Sequence, residues 1–333
     1  MWNTVTRVLE CPSCGASLAP PRFARSVVCL FCQSTVQVDP SAVSVALFRK
    51  ALAGWNSPET HGYNSFLSIG ESHWATRRFI ARGEISDVYL AERARWPTER
   101  VLLKVLREPE SAPLFDREWG VLDELQRSEA PGAAIFTTLV PQPVVRGLVE
   151  NGPYQGRCAM AFRWASGFHQ TFEGVRQAYP QGIDPQISIW MWRRILELLA
   201  FLHRSGVAHG AVLPPHILVE DGEHGIRLVG YSAAGEPGAP LATVCSRFEQ
   251  FYPARQLSPE ADVEMSARAI AFVLGGEGEC VGVPASVPEP LADLVRRVAV
   301  DGAENAWAVR ESVGEVARRL YGPPSFHPLM MPV

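Results

Sequence analysis

The chain has 333 residues, 47% of them apolar, a mean hydropathy near zero and a net charge of −4. That leaves room for one large domain or two to three ordinary ones, with the composition of a soluble globular protein. It excludes a broad basic field for nucleic acid and holds no apolar run near the ~20 residues that a membrane span needs. The opening MWNTVTRVLECPSC lacks the apolar core of a signal peptide, so a cytoplasmic protein is the default expectation. Of 31 basic residues only Lys50 and Lys104 are lysines. Where arginine would serve, this chain uses arginine, so each lysine is informative.

Residues 1–40 read as a separate unit. Cys11-Pro12-Ser13-Cys14-Gly15 and Cys29-Leu30-Phe31-Cys32 give the spacing C-x2-C-x14-C-x2-C. Two thiolate pairs so spaced can close a tetrahedral zinc site, whereas disulfides suit a cytoplasmic chain poorly. Gly15 fits the positive-φ residue that a knuckle often needs. Residues 26–28 and 34–38 read as an outgoing and a returning strand, and the whole resembles a zinc ribbon. So small a unit buries too little apolar surface to fold alone, so the metal supplies its stability. Its basic residues, Arg7, Arg22 and Arg25, are too few for strong phosphate binding. A protein-docking or purely structural role is favoured over nucleic-acid binding. Cys158, Cys245 and Cys280 are scattered and read as ordinary residues. Residues 41–55 place Val45, Leu47, Phe48 and Leu52 at helical spacing and predict a short helix. Residues 56–72, rich in Ser, Gly and Asn, read as an irregular connection.

Further along, FIARGEISDVYL (79–90) reads as a β-hairpin. Val101-Leu102-Leu103-Lys104 reads as a strand carrying the second lysine. LFDREWGVLDEL (114–125) predicts a helix with an apolar stripe of Leu114, Val121, Leu122 and Leu125, and with Glu118 on it. Residues 137–149 and 157–164 read as strands, and 187–203 as a long apolar helix. HGAVLPPHILV (209–219) follows, with short paired strands at 217–219 and 226–229. Closing helices are expected at 291–300 and 308–320. The Pro-rich tail, 323–333, is expected to be either disordered or a docking peptide.

The stretch 209–219 resembles the protein-kinase catalytic loop, H-R-D-L-K-P-E-N-I-L-V. Around it the order is that of a kinase. The hairpin is similar to the glycine-rich L-G-x-G-x-x-G-x-V-Y-L, with Ala81, Gly83 and Ser86 at the glycine positions. Residues 101–104 fit V-A-I-K, and 114–125 resembles the F-x-R-E-x-x-x-L-x-x-L of bacterial kinases. Arg163-Trp164-Ala165 would be the hinge between lobes. Asp262, at the start of a helix, would cap loop N–H groups near His209. Glu249 or the Tyr252-Pro253 region would end the activation segment, and Asn305 replaces the arginine that usually anchors it. The resemblance covers roughly residues 75–320. It implies an α+β, two-lobed protein-kinase-like fold preceded by a small four-cysteine zinc ribbon. The divisions expected are a ribbon at 1–40, helix and linker at 41–73, a kinase-like domain at 74–322 and a tail at 323–333.

The same resemblance shows what is missing. Phosphoryl transfer needs metal ions held by an Asp and an Asn, and a carboxylate to orient the attacking hydroxyl. The three positions hold Gly230, His216 and Ala211. Three roles fail together, so the resemblance implies a pseudokinase of the bacterial serine/threonine type. The expected function is a catalytically inactive regulatory or scaffold protein that docks signalling partners: a kinase, a phosphatase or an effector. The expected cofactor is structural zinc on Cys11, Cys14, Cys29 and Cys32. One alternative is an ATP-binding sensor with a weak site at Lys104, Glu118 and Gly83. Another is a transferase with relocated residues such as Glu220, Asp221 or His216.

Overall fold

The computed structural model describes residues 9–11, 14–18, 26–37, 65–94, 99–220, 224–276, 282–303 and 305–331. The helix expected at 41–55, most of the expected connection, Lys50, Asp221 and Cys280 lie outside them.

Two short antiparallel pairs open the chain. Strand β1 (Leu9–Glu10) pairs with β2 (Ser17–Leu18), and β3 (Ser26–Val28) with β4 (Thr35–Gln37). Each cysteine pair sits on a knuckle of the same design. The Gly15 N–H donates to Cys11 O at 2.7 Å, and the Gln33 N–H to Cys29 O at 2.8 Å. Both residues closing these turns have positive φ, +77° at Gly15 and +64° at Gln33.

The small lobe is a six-stranded antiparallel sheet in the order β5-β6-β7-β8-β10-β9. Its strands are β5 (Ser65–Ile69), β6 (Ser72–Arg82), β7 (Ser86–Arg93), β8 (Arg100–Leu106), β9 (Pro143–Leu148) and β10 (Cys158–Arg163). A bridge between Ile69 and Val149 draws the two edges together. The sheet closes over Leu67, Trp74, Leu103 and Ala161, all buried. Among the described residues the lobe's sheet therefore starts at Ser65. Residues 65–72, expected as linker, supply its edge strand and the turn after it. Residues 137–139, expected as strand, form a helical turn instead.

Helix α1 (Ala112–Gln126) packs beneath this sheet. Its buried face is Phe115, Glu118, Leu122 and Leu125, so the stripe runs one residue off that expected at its start: Phe115 is buried and Leu114 is not. A four-residue helix, α2 (Ala133–Phe136), leads into β9. Beyond β10, β11 (Phe168–Thr171) joins β12 (Ile217–Glu220) and β13 (Gly225–Leu228) in a three-stranded sheet at the lobe junction.

The large lobe is helical. Helix α3 (Phe172–Ala178) is capped by Thr171. Helix α4 (Pro185–Arg204) starts on an Asp184 cap with proline in its first turn, and residues 195–202 are buried all round. Such a helix can only be central. Helix α5 (Pro259–Val273), capped by Ser258, crosses it, and small residues let the two approach. The Trp192 indole N–H donates to Ser266 Oγ at 3.0 Å across that contact. Helices α6 (Glu289–Asp301) and α7 (Ala306–Tyr321) close the lobe, and Asn305 accepts from Trp307 N and Ala308 N to start α7. One apolar cluster runs from Phe115 and Leu122 on α1 through the whole large lobe.

The described part of the tail, 323–331, is docked on the large lobe. The His327 carbonyl takes the Trp190 indole N–H at 3.1 Å and meets His224 Nε2 at 2.7 Å. The Tyr179 hydroxyl donates to Met330 O, and Leu329 is fully buried. The ribbon also touches the large lobe. Phe31, between Leu30 and Cys32 on the second knuckle, meets the His224 ring edge-on at 5.0 Å. His224 is itself stacked between Trp190 at 4.2 Å and Phe326 at 4.1 Å. Ribbon, large lobe and tail thus share one aromatic cluster.

Candidate functional site

Lys104 stands in the middle of β8, opposite Val88 on β7 and Met160 on β10. That register aims its side chain down towards α1, where Glu118 lies on the buried face. The two meet at 2.5 Å, with the carboxylate 1% and the lysine 15% exposed. The ammonium also lies 5.8 Å from the centre of the Phe115 ring. This is the ion pair that the spacing predicts.

Below the pair lies the loop 209–219. Asp262 organises it from the first turn of α5. One oxygen accepts from His209 N at 2.7 Å and the other from Gly210 N at 2.8 Å, and His203 Nε2 adds a contact at 2.9 Å. His209 is fully buried, its Nδ1 accepts from Ala211 N at 3.2 Å, and its ring packs on Tyr231 at 4.5 Å. Burial drives its pKa down to about 4, so the imidazole is neutral. These are structural duties, and they use no reactive proton.

His216 lies nearer the Lys104–Glu118 pair. Its Nδ1 contacts Ala211 O at 2.9 Å, and since a carbonyl only accepts, that nitrogen carries the proton. Burial, with the nearby Lys104 charge, holds its pKa below the ordinary value against the Ala211 hydrogen bond. The ring faces Gly230, whose φ is +83°. A Cβ placed on Gly230 would lie 2.8 Å from three atoms of the His216 ring. The space that a side chain at 230 would need is already filled.

The hairpin tip is pinned over this floor. The Gly83 N–H donates to Ser86 O at 2.8 Å and closes the turn. Ser246 Oγ donates to Glu84 Oε1 at 3.2 Å, the Arg107 guanidinium donates to Glu84 O, and Ile85 packs on the main core. At the expected hinge the Trp164 N–H is committed to Arg100 O at 3.1 Å. Glu249, one of the two expected segment ends, pairs with Arg255 on the surface, and Asn305, at the expected anchor position, caps α7 instead. Arg268 of α5 takes over, donating to Gln250 O at 2.9 Å and to Ala299 O at 3.0 Å. Arg227 ties the lobes, donating to Thr138 O and Val140 O at 2.9 and 2.7 Å; burial lowers its pKa to about 10. Sequence reading missed Phe115, Ile85, Arg227 and Arg268. The rarity of lysine flagged Lys104, but no comparable signal marks one arginine among so many.

The second site is the cysteine tetrad. The four Sγ atoms lie within 4.8 Å of one another, with Cys11–Cys32 at 3.5 Å and Cys14–Cys29 at 3.7 Å. A tetrahedral centre with metal–sulfur bonds near 2.3 Å has its sulfurs about 3.8 Å apart, so the donor set fits such an ion. Burial pushes the thiols of Cys14 and Cys29 up. A bound cation would reverse that cost.

No family model matches the chain, and neither does any curated protein sequence. Among solved structures it is similar to the crystal structure of the BubR1 kinase domain, with a TM-score of 0.57 at 12% identity, covering 84% of this chain and 95% of that one. It is likewise similar to the structure of vaccinia related kinase 3, with a TM-score of 0.57 at 12% identity, covering 86% and 99%. The chain therefore has a kinase-like fold, with a four-cysteine cluster compatible with a zinc ribbon at its start. No helix among the described residues is long and apolar enough to cross a membrane.

Proposed function

We propose that this protein is a catalytically inactive, kinase-like binding module, with zinc held by Cys11, Cys14, Cys29 and Cys32 as a structural ion and protein partners as its ligands. The observation that carries the reading is the contact between His216 and Gly230. Loss of a metal-binding side chain at 230 is not an isolated gap, because the neutral His216 ring fills the space that side chain would need. Ala211 adds no carboxylate to orient a hydroxyl. Meanwhile Asp262, His209, Arg227 and Arg268, which hold the lobes and the loop, keep dense networks. Conserving architecture without phosphotransfer groups suits a protein that works by presenting surfaces. Four thiolates and no open coordination position among them suit a structural ion.

The test is phosphotransfer by the purified, zinc-loaded chain with magnesium and radiolabelled ATP. No transfer to itself or to generic substrates is expected. Transfer abolished by Lys104→Met would overturn the reading; transfer that survives that change is a contaminant's. One observation favours a second reading, a nucleotide sensor: the Lys104–Glu118 pair stands intact at the edge of the cleft. With one lysine against the roughly four negative charges of ATP and no metal-binding side chains, such binding would be weak and nearly independent of magnesium. A transferase with relocated residues draws less support, since the His216 proton is committed to Ala211 O.

A further inference from the structure

A cleft with charged walls lies away from the Lys104 site, where the ribbon knuckle, α4, α7 and the tail meet. It is shallow and open to solvent, with little enclosed space. A narrower furrow continues from it past Leu30, sharing Phe31, Trp190 and Arg193. The walls are apolar and rigid: Phe31, Trp190, Tyr321 and the Pro323-Pro324 turn. Two guanidiniums face each other across Gly314, Arg193 from α4 and Arg318 from α7; a Cβ on Gly314 would lie under 4 Å from both.

The charges there do not balance. Glu197 serves Arg194 at 2.7 Å and Arg310 at 2.9 Å, and Glu311 serves Arg310 at 2.6 Å. Both carboxylates are thus taken up by Arg194 and Arg310. Arg193 and Arg318 form no ion pair among the described residues, and the buried Arg193 Nε has no hydrogen-bond partner. A buried donor left unsatisfied carries a desolvation penalty, which an acceptor brought by a ligand would offset. Guanidiniums bind carboxylates in a planar fork, and aromatic walls beside them hold a ring or an aliphatic side chain. The cleft is open along one side and runs on into the furrow, which suits an extended chain better than a compact molecule.

We propose that this groove binds an acidic peptide segment of a partner protein, its carboxylate on Arg193 and Arg318 and an adjacent aromatic or large aliphatic side chain against Phe31, Trp190 and Tyr321. The proposal rests on the reading of the protein as a partner-binding module and names the chemistry of that partner. Because Phe31 belongs to a cysteine knuckle, it also gives the ribbon a role: it supplies one wall of the site.

The experiment is selection of a random decapeptide display library on the full-length, zinc-loaded chain. Enriched peptides should carry Asp or Glu within two residues of an aromatic or Leu. As synthetic peptides they should bind about tenfold or more weaker to Arg193→Gln and to Arg318→Gln, and weaken with salt. Neither change removes a partnered group, so circular dichroism should show both variants folded. Phe31→Ala should weaken binding without changing its salt dependence. No enrichment, enrichment without acidic residues, or equal binding by both arginine variants would overturn the proposal. So would inorganic phosphate displacing the peptide at equal concentration, since the site would then be one for small anions. Each of these outcomes leaves the inactivity of the cleft standing, whereas phosphotransfer dependent on Lys104 would overturn the inactive reading and leave the groove untouched.

Discussion

An added Cβ at Gly230 would meet the His216 ring at 2.8 Å, in a backbone conformation, φ +83°, that side chains rarely adopt. The two penalties are separable. Backbone strain costs on the order of 1–3 kcal/mol and overpacking a similar amount. Gly230→Ala should therefore destabilise the protein by about 2–6 kcal/mol. In the His216→Ala background the same change should cost about 1–3 kcal/mol less, because only the strain remains. Urea unfolding of the four proteins in a double-mutant cycle measures this; strictly additive costs would show that the ring is no obstacle. This contact was not legible in the sequence, which gave both substitutions but not their mutual fit. By contrast the Lys104–Glu118 pair and the Asp262 cap were legible. Each depends on a motif of fixed spacing whose backbone geometry dictates where the side chain points. Phe115 was misjudged for a related reason: a charged residue, Glu118, sits on the buried face, so a stripe read from apolar residues alone is displaced.

Among the elements, the ribbon and the tail depart most from what their composition suggests. A Pro-rich segment forms no regular structure, and 323–331 forms none. Absence of helix or strand is not absence of docking, however. Leu329 is buried at 1% exposure, and Phe326 stacks on His224 at 4.1 Å. Strand β5 was hidden in the opposite way. Its sequence SFLSI is short and lies among Ser, Asn and Gly, so only pairing with β6 reveals it. Because Phe31 reaches the tail through His224, loss of the metal should be felt there. Cys29→Ser should remove zinc and also raise amide hydrogen exchange in 323–331 and around Trp190, while β5–β10 stay protected. Exchange that rises only within 9–37 would show that the ribbon folds and unfolds independently of the lobe it touches.

On the scale of the whole molecule, several buried histidines make stability depend on their charge state. His209 and His224 are buried with pKa values lowered by burial to about 4 and about 3, and His216 is lowered as well. In the unfolded chain each histidine titrates near 6.5. Between pH 6.5 and about 4 the unfolded state therefore binds protons that the folded state refuses. Stability must then rise with pH through this window and be lost as pH falls through it, by up to about 1.4 kcal/mol per pH unit for each such histidine. These residues are spread over the catalytic-loop position, the lobe junction and the tail cluster, so acid should loosen the whole assembly rather than one region. Thiolates holding a metal would add their own acid sensitivity, so the informative quantity is a difference between variants. His209→Asn keeps an acceptor for Ala211 N but cannot titrate. Its unfolding free energy, measured in urea from pH 7 to 4.5, should fall less steeply than that of the native chain by about one proton's worth of slope. Equal slopes would mean that His209 is protonated in the folded protein, and with it that the interior around Asp262 holds a charge that its burial should exclude.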